Sequence, residues 1–162
     1  MNNDIKIHPL ILKNKDEIIE NRRCFHKYPE LSFEEFNTSK IIEEKLNAMG
    51  INTISRMAKT GLVADIAGNQ KGRTIALRAD MDALPIQETS DISYKSVNDG
   101  VMHACGHDGH MAMLLGAAKA INEMKGKLNG SVRLIFQPAE EGPAGATYMI
   151  DEGALDGVDE IY

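Results

Sequence analysis

No stretch of the 162 residues approaches the ~18 consecutive apolar residues that a membrane span requires. Residues 1–9 have no basic region followed by an apolar stretch, so no export leader is read there, and the expected compartment is the cytoplasm. Basic runs are absent too: 18 Lys+Arg stand against 24 Asp+Glu, a formal net charge of -6, which leaves no electrostatic footprint for nucleic acid. Cysteine is scarce. Cys24 and Cys105 sit in unlike contexts, so a structural disulfide is not expected. There is no internal repeat, low-complexity tract or obvious linker, and 43% hydrophobic residues at this length suit one sizeable core.

Ile11, Ile18 and Phe25 recur at seven-residue spacing, which predicts one helix with a single apolar stripe, ended by Pro29. Cys24 lies beside that stripe and reads as a small buried apolar side chain, since nothing near it lowers a thiol pKa. Ser32-Phe33-Glu34-Glu35 has the pattern of a capping box, with Ser39, Ile42, Leu46 and Met49 then on one helical face before Gly50. Residues 61–68 read as a strand bracketed by glycines, and 69–72 as a turn into a second strand at 74–79; the pair suits a hairpin. From 109 to 124, Met111, Leu114, Leu115, Ala118 and Ile121 keep helical spacing, and a buried strand follows at 131–136. Helices alternating with short apolar strands predict an α/β sheet covered by helices on both sides.

Three polar clusters each begin where an apolar strand or glycine turn ends: Asp80-Met81-Asp82, residues 103–108, and Glu140-Glu141. Ligands gather beyond the carboxyl ends of strands in an open α/β sheet, so the three are expected to converge. In an extended stretch His103, Cys105 and His107 share one face, and Gly106 lets the backbone bend so that two of them reach one ion. With His110 they make four His or Cys side chains within eight residues, types that a transition metal accepts. A helix-capping loop with incidental histidines is the competing account. Asp108 stands where an N-cap or a partner to an imidazole is useful. Glu140 and Glu141 follow an apolar strand and Pro138, and Gly142-Pro143 prevents regular continuation. Alone, such a loop is most often a solvated turn. Beside a metal cluster, one carboxylate suits a cation and its neighbour suits taking a proton from attacking water. One of Asp80 and Asp82 fits the orienting of a ligand histidine, while Arg78 offers Asp80 an ion pair.

Four segments together resemble the M20 metallopeptidase family, in its amidohydrolase branch of N-acyl-amino-acid amidohydrolases, hippurate hydrolases, N-acetyldiaminopimelate deacetylases and auxin-conjugate hydrolases. They are His26-Lys27-Tyr28-Pro29-Glu30-Leu31-Ser32-Phe33-Glu34-Glu35, Arg78-Ala79-Asp80-Met81-Asp82-Ala83-Leu84-Pro85, Met102-His103-Ala104-Cys105-Gly106-His107-Asp108-Gly109-His110 and Phe136-Gln137-Pro138-Ala139-Glu140-Glu141-Gly142. The resemblance implies a zinc-peptidase-like sheet and two divalent metal ions, with Cys105, His107 and Glu141 as ligands, Glu140 as general base and Asp82 as the orienting carboxylate. Manganese or zinc fits, and nickel or cobalt stays open. Other M20 branches carry a histidine where Asp80 stands and a bridging aspartate where Cys105 stands. The roles of Asp80, His103 and His110 are not assigned.

Family members are considerably longer. Residues 1–162 are thus expected to be the N-terminal part of the catalytic domain, truncated at the C-terminus. Further histidine ligands and a lid domain that serves in homodimerisation would lie outside it, and the fragment alone would be inactive. The implied function is metal-dependent hydrolysis of the amide bond of N-acylated amino acids. The alternatives are a carboxypeptidase or aminopeptidase on short peptides, and a non-catalytic metal-binding fragment. A thiol-redox role for Cys105 lacks a nearby second cysteine.

Overall fold

A strand bonded on both sides organises the computed structural model, which describes residues 6–142 and 144–162. Residues 1–5 of the N-terminal reading, and Pro143 of the Gly142-Pro143 break, lie outside the described residues. In chain order the elements are α1 (Pro9–Lys13), α2 (Lys15–Lys27), α3 (Phe36–Ala48), β1 (Thr53–Met57), β2 (Gly61–Ala67), β3 (Gln70–Asp80), α4 (His107–Met124), β4 (Asn129–Gln137), α5 (Gly145–Asp151) and β5 (Glu160–Ile161). The five strands form one sheet in the order β1-β2-β4-β3-β5.

That order overturns the hairpin. β2 and β3 do not pair; β4 lies between them, antiparallel to β2 and parallel to β3. A short glycine turn signals closeness in sequence, but β4 carries Leu134, Ile135 and Phe136, all buried, and two bonded neighbours cover it best. The chain crosses the end of β4 within two residues, where Gly68 N–H donates to Gly130 O at 2.8 Å and Asn69 N–H to Leu128 O at 2.9 Å. Gly130 sits at φ +98°, and a Cβ there would meet Arg73 O at 2.1 Å, so the crossing requires glycine. The edge strand β1 was not foreseen.

Both faces are covered. On one, Phe25, Ile42, Leu46, Met111 and Leu115 of α2, α3 and α4 pack with Leu62, Leu134 and Phe136 of the sheet. On the other, Met149 of α5 and Ala154 cover Val63, Ala76 and Ile135. The predicted helix of residues 109–124 is present as α4 and starts two residues earlier. The first apolar stripe spans two helices, because the Asn14 side chain donates to Leu10 O at 2.9 Å and its own N–H turns back to Ile11 O. Cys24 is half-buried rather than buried.

The capping box does not form either. Helix α3 begins at Phe36, and the carboxylate that accepts from its Asn37 and Thr38 N–H groups, at 3.1 and 2.8 Å, belongs to Glu30. Ser32 instead donates to Asp82, and Glu35 is drawn completely into the interior.

Among the described residues, no helix is long and apolar enough to cross a membrane.

Candidate metal centre

Parallel pairing of β3 and β4 puts their carboxyl ends side by side, with Asp80 opposite Gln137. Asp80 and Asp82 leave one strand and Glu140 and Glu141 the other, while the first turn of α4 brings His107 between them. The three polar clusters therefore meet, as ligand sites do at carboxyl ends of such sheets.

His107 is the pivot. Its Nδ1 lies 2.9 Å from the Asp82 carbonyl oxygen, a bond in which the ring nitrogen must donate, and in the neutral ring this leaves Nε2 with a free lone pair. Nε2 faces Glu141 Oε1 at 3.8 Å, Glu140 Oε2 at 3.9 Å and Asp80 Oδ2 at 3.6 Å. Single donor atoms of Cys105, His107 and Glu141 all lie within 4.8 Å of one another. A tetrahedral ion bonded at ~2.0–2.3 Å holds its donors about 3.3–3.8 Å apart, so small adjustments close this set on one cation. Thiol, imidazole and carboxylate are also the donor types a transition metal takes, and a carbonyl fixing the far ring nitrogen is the usual support for a ligand imidazole.

A second grouping, Asp80, His107 and His110, has equally close donor atoms. It fits an ion-pair network better than a cation site. Arg78 Nη1 already lies 3.2 Å from Asp80 Oδ2, and His110 Nδ1 lies 2.6 Å from Oδ1. The Arg78 pairing read from the sequence is thus present, and His110 stacks on His107 with ring centroids 5.7 Å apart.

Asp82 does more than face an imidazole. Its carboxylate accepts from Ser32 Oγ at 2.7 Å and from the backbone N–H groups of Glu140 and Glu141, each at 3.0 Å, with His107 Nδ1 3.3 Å away. Burial works against its charge, yet the bonds from His107, Ser32, Glu141 and Glu140 outweigh burial and hold the pKa at about 2. Burial likewise opposes a charged His107, but the Asp82 side chain and the Asp80 charge raise its pKa.

Two readings of the 103–108 segment hold only in part. Gly106, at φ +93°, turns the chain into α4, and Cys105 is exposed while His103 is buried and is not among the donors that lie together. Neither His103 ring nitrogen has a hydrogen-bond partner among the described residues, and burial lowers its pKa to about 4. Asp108 does not cap α4 but is the partner to an imidazole, that of His26: its carboxylate accepts from Arg22 Nε at 2.8 Å and from His26 Nδ1 at 2.8 Å. His26, Glu88 and Glu35 are polar residues of the site's support that sequence reasoning missed. His26 Nε2 meets Glu88 Oε1 at 3.1 Å, which ties the loop after β3 to α2 and α4. Burial opposes the Glu88 charge, but Ser90, Ser96 N–H and His26 outweigh it and hold the pKa at about 2.

The Cys105 thiol is raised to about 11, first by its hydrogen bond to Glu141, then by partial desolvation and the nearby Glu141, Asp80 and Glu140 charges. Without a metal it is protonated at neutral pH, so a cation bound through sulfur must displace that proton. Zinc added at pH 7 in weak buffer should release about one proton more from wild type than from Cys105→Ala, and wild-type affinity should rise with pH. Equal proton release from the two proteins would remove the thiol from the ligand set.

The chain is 48% identical to thermostable carboxypeptidase 2 of Saccharolobus solfataricus, over 100% of this chain and 40% of that protein. It is 52% identical to an N-acetyl-L-cysteine deacetylase of Bacillus subtilis, over 90% of this chain and 35% of the relative. The crystal structure of YXEP from Bacillus subtilis, described as a dinuclear metal-binding peptidase of the M20 family, superposes with a TM-score of 0.89 at 45% identity, covering 93% of this chain and 42% of that one. The chain thus spans 35–42% of the length of these proteins. Residues 76–162, more than half of the sequence, match the model of peptidase family M20/M25/M40, and the chain belongs to that family.

Proposed function

We propose that the protein containing this chain hydrolyses the amide bond of N-acylated amino acids at a centre of two divalent cations, manganese or zinc, with nickel or cobalt as further candidates. The observation that carries this reading is the Cys105, His107 and Glu141 donor cluster with a second, more exposed carboxylate, Glu140, beside it. Two ions need more donors than these three, and in this reading the full-length protein supplies the others. Bound there, divalent cations lower the pKa of a water toward neutrality and polarise the amide carbonyl.

The protein's own groups do the rest. Glu140 takes a proton from the attacking water as the carbonyl carbon becomes tetrahedral, then gives it to the departing amine nitrogen. Asp82 holds the backbone of Glu140 and Glu141, so that one carboxylate stays aimed at the reacting atoms and the other at the ligand position. A cytoplasmic setting and a homodimeric parent belong to the same reading.

The similarity to a carboxypeptidase supports a second reading, in which the same centre cleaves short peptides. A non-catalytic metal-binding role is the third. A panel of N-acetyl and N-benzoyl amino acids and unblocked dipeptides, given to the metal-loaded full-length protein, separates them. The expected result is a kcat/KM at least about tenfold higher for the acylated amino acids, a difference of ~1.4 kcal/mol in transition-state binding. A preference for dipeptides would move the assignment to the peptidase reading, and no turnover of either class would leave metal binding alone.

A further inference from the structure

Three consecutive backbone N–H groups in the turn after β4 point at carboxylates. Glu140 and Glu141 donate to Asp82, and Ala139, just before them, donates to Glu35 Oε1 at 2.9 Å. The other Glu35 oxygen accepts from Thr60 Oγ at 2.6 Å. Glu35 is 0% exposed, and burial raises its pKa against the pull of Thr60 and Ala139. A carboxyl group kept in such a place has work that an apolar side chain of that size cannot do.

The work is visible in the backbone it holds. Ala139 is fully buried at φ +51°, a left-handed conformation that alanine rarely adopts. Its N–H is fixed by Glu35, and its carbonyl accepts from Gly145 N–H at 3.0 Å. Gly145 permits this closeness, since a Cβ there would lie 1.9 Å from Pro138 O. The turn at Ala139 sets the direction in which the chain enters Glu140. A different backbone angle there would swing the Glu140 carboxylate away from His107 Nε2, which it now faces at 3.9 Å. Thr60 stands immediately before β2, so Glu35 joins the start of α3, the start of β2 and the Glu140 turn.

We propose that Glu35 is a positioning residue for Glu140: by holding the Ala139 N–H and the left-handed turn there, it aims the neighbouring carboxylate at the reacting atoms. This rests on the reading of Glu140 as the base. The role differs from that of Asp82, which touches the Glu141 backbone and so bears on the metal ligand as well.

The test uses the metal-loaded full-length protein and the acylated amino acid of the panel that it turns over best. Glu35→Ala, Glu35→Gln, Glu140→Gln and the double variant Glu35→Ala/Glu140→Gln are compared for kcat, KM and metal content. Glu35→Ala should lose about 10²-fold in kcat, the scale of a slightly misplaced group, with KM and metal content within about twofold of wild type. Glu35→Gln should stay within about threefold, because its amide oxygen still accepts from Ala139 while its NH2 donates to Thr60. In the double variant, Glu35→Ala should add no further loss to Glu140→Gln, since a group that acts through another has nothing left to act on.

A folded Glu35→Ala with wild-type kcat, or a full second loss in the double variant, would overturn the proposal. Should Glu35→Ala fail to fold, Thr60→Val frees the other Glu35 oxygen and should lower kcat about tenfold at full metal content; an unchanged kcat there would equally overturn it. Full activity in Glu140→Gln would instead refute the reading of the base, a distinct result.

Discussion

Glu140→Gln is expected to lower turnover by about 10²–10⁴-fold while the protein keeps its metal. Glutamine has the size and polarity of the side chain it replaces, but it cannot accept a proton at neutral pH. The backbone N–H of residue 140 still reaches Asp82, so the turn and the neighbouring ligand stay in place. Glu141→Gln should behave differently. The Glu141 carboxylate is one of three donors whose atoms lie within 4.8 Å of each other, and an uncharged amide is a poorer partner for a dication. That variant should lose metal, and added metal should restore part of its activity. The two variants must therefore separate in metal content as well as in rate. If Glu140→Gln loses metal and Glu141→Gln keeps it, the assignment is reversed. If both are fully active, the pair has no part in the reaction.

Asp82→Ala is expected to have the second large effect, through binding and chemistry together. It strips the acceptor from Ser32 Oγ and from two backbone N–H groups, and removes a charge 3.3 Å from His107 Nδ1. Each buried donor left without a partner costs about 1–3 kcal/mol, so the turn should move rather than keep them unpaired. Removing an outer partner of a metal ligand commonly costs about 10–100-fold in affinity or activity, and here both glutamates shift as well. Metal affinity should fall by at least that range, with kcat falling further at saturating metal. Asp82→Asn should lie in between, because its single oxygen cannot serve all three donors.

The pH behaviour is a separate check on Asp82. Its folded pKa of about 2 is below the ordinary value near 4, so its contribution to stability is complete above about pH 4. That contribution is lost only as pH falls through 4 toward 2. A wild-type protein whose fold is lost between pH 6 and 5 therefore fails for a reason other than Asp82, and the Asp82→Ala protein should show a weaker dependence of stability on pH below 4.

How much of this was legible in the sequence follows from the range of the forces involved. The convergence of Asp80-Asp82, Cys105-His107 and Glu140-Glu141 was readable, because polar clusters at the ends of apolar strands share one edge of the sheet. Strand pairing was not, because the short 69–72 turn suggested a hairpin whereas burial of Leu134 and Phe136 placed β4 between the partners. His103 was not placed by alternation: an extended stretch would put it beside Cys105 and His107, but the chain already turns at residue 103, where Ala104 N–H donates to Met102 O at 2.8 Å, and His103 is buried while Cys105 is exposed. The spacing of Ser32 and Glu35 matches a capping box, but both side chains are claimed by distant partners, Asp82 for one and Thr60 with Ala139 for the other. Such long-range bonds leave no periodic trace. A charged residue inside an otherwise helical or apolar context was the one available hint, and Glu35 is read correctly only once its burial is known.

The central claim is that Cys105, His107 and Glu141 hold a cation together, and X-ray absorption at the zinc edge tests it most directly. In the zinc-loaded full-length protein the account predicts a sulfur neighbour at about 2.3 Å alongside nitrogen and oxygen neighbours at about 2.0–2.2 Å, with the sulfur gone in Cys105→Ala. A zinc shell of nitrogen and oxygen alone in the wild-type protein, unchanged by Cys105→Ala, would contradict it.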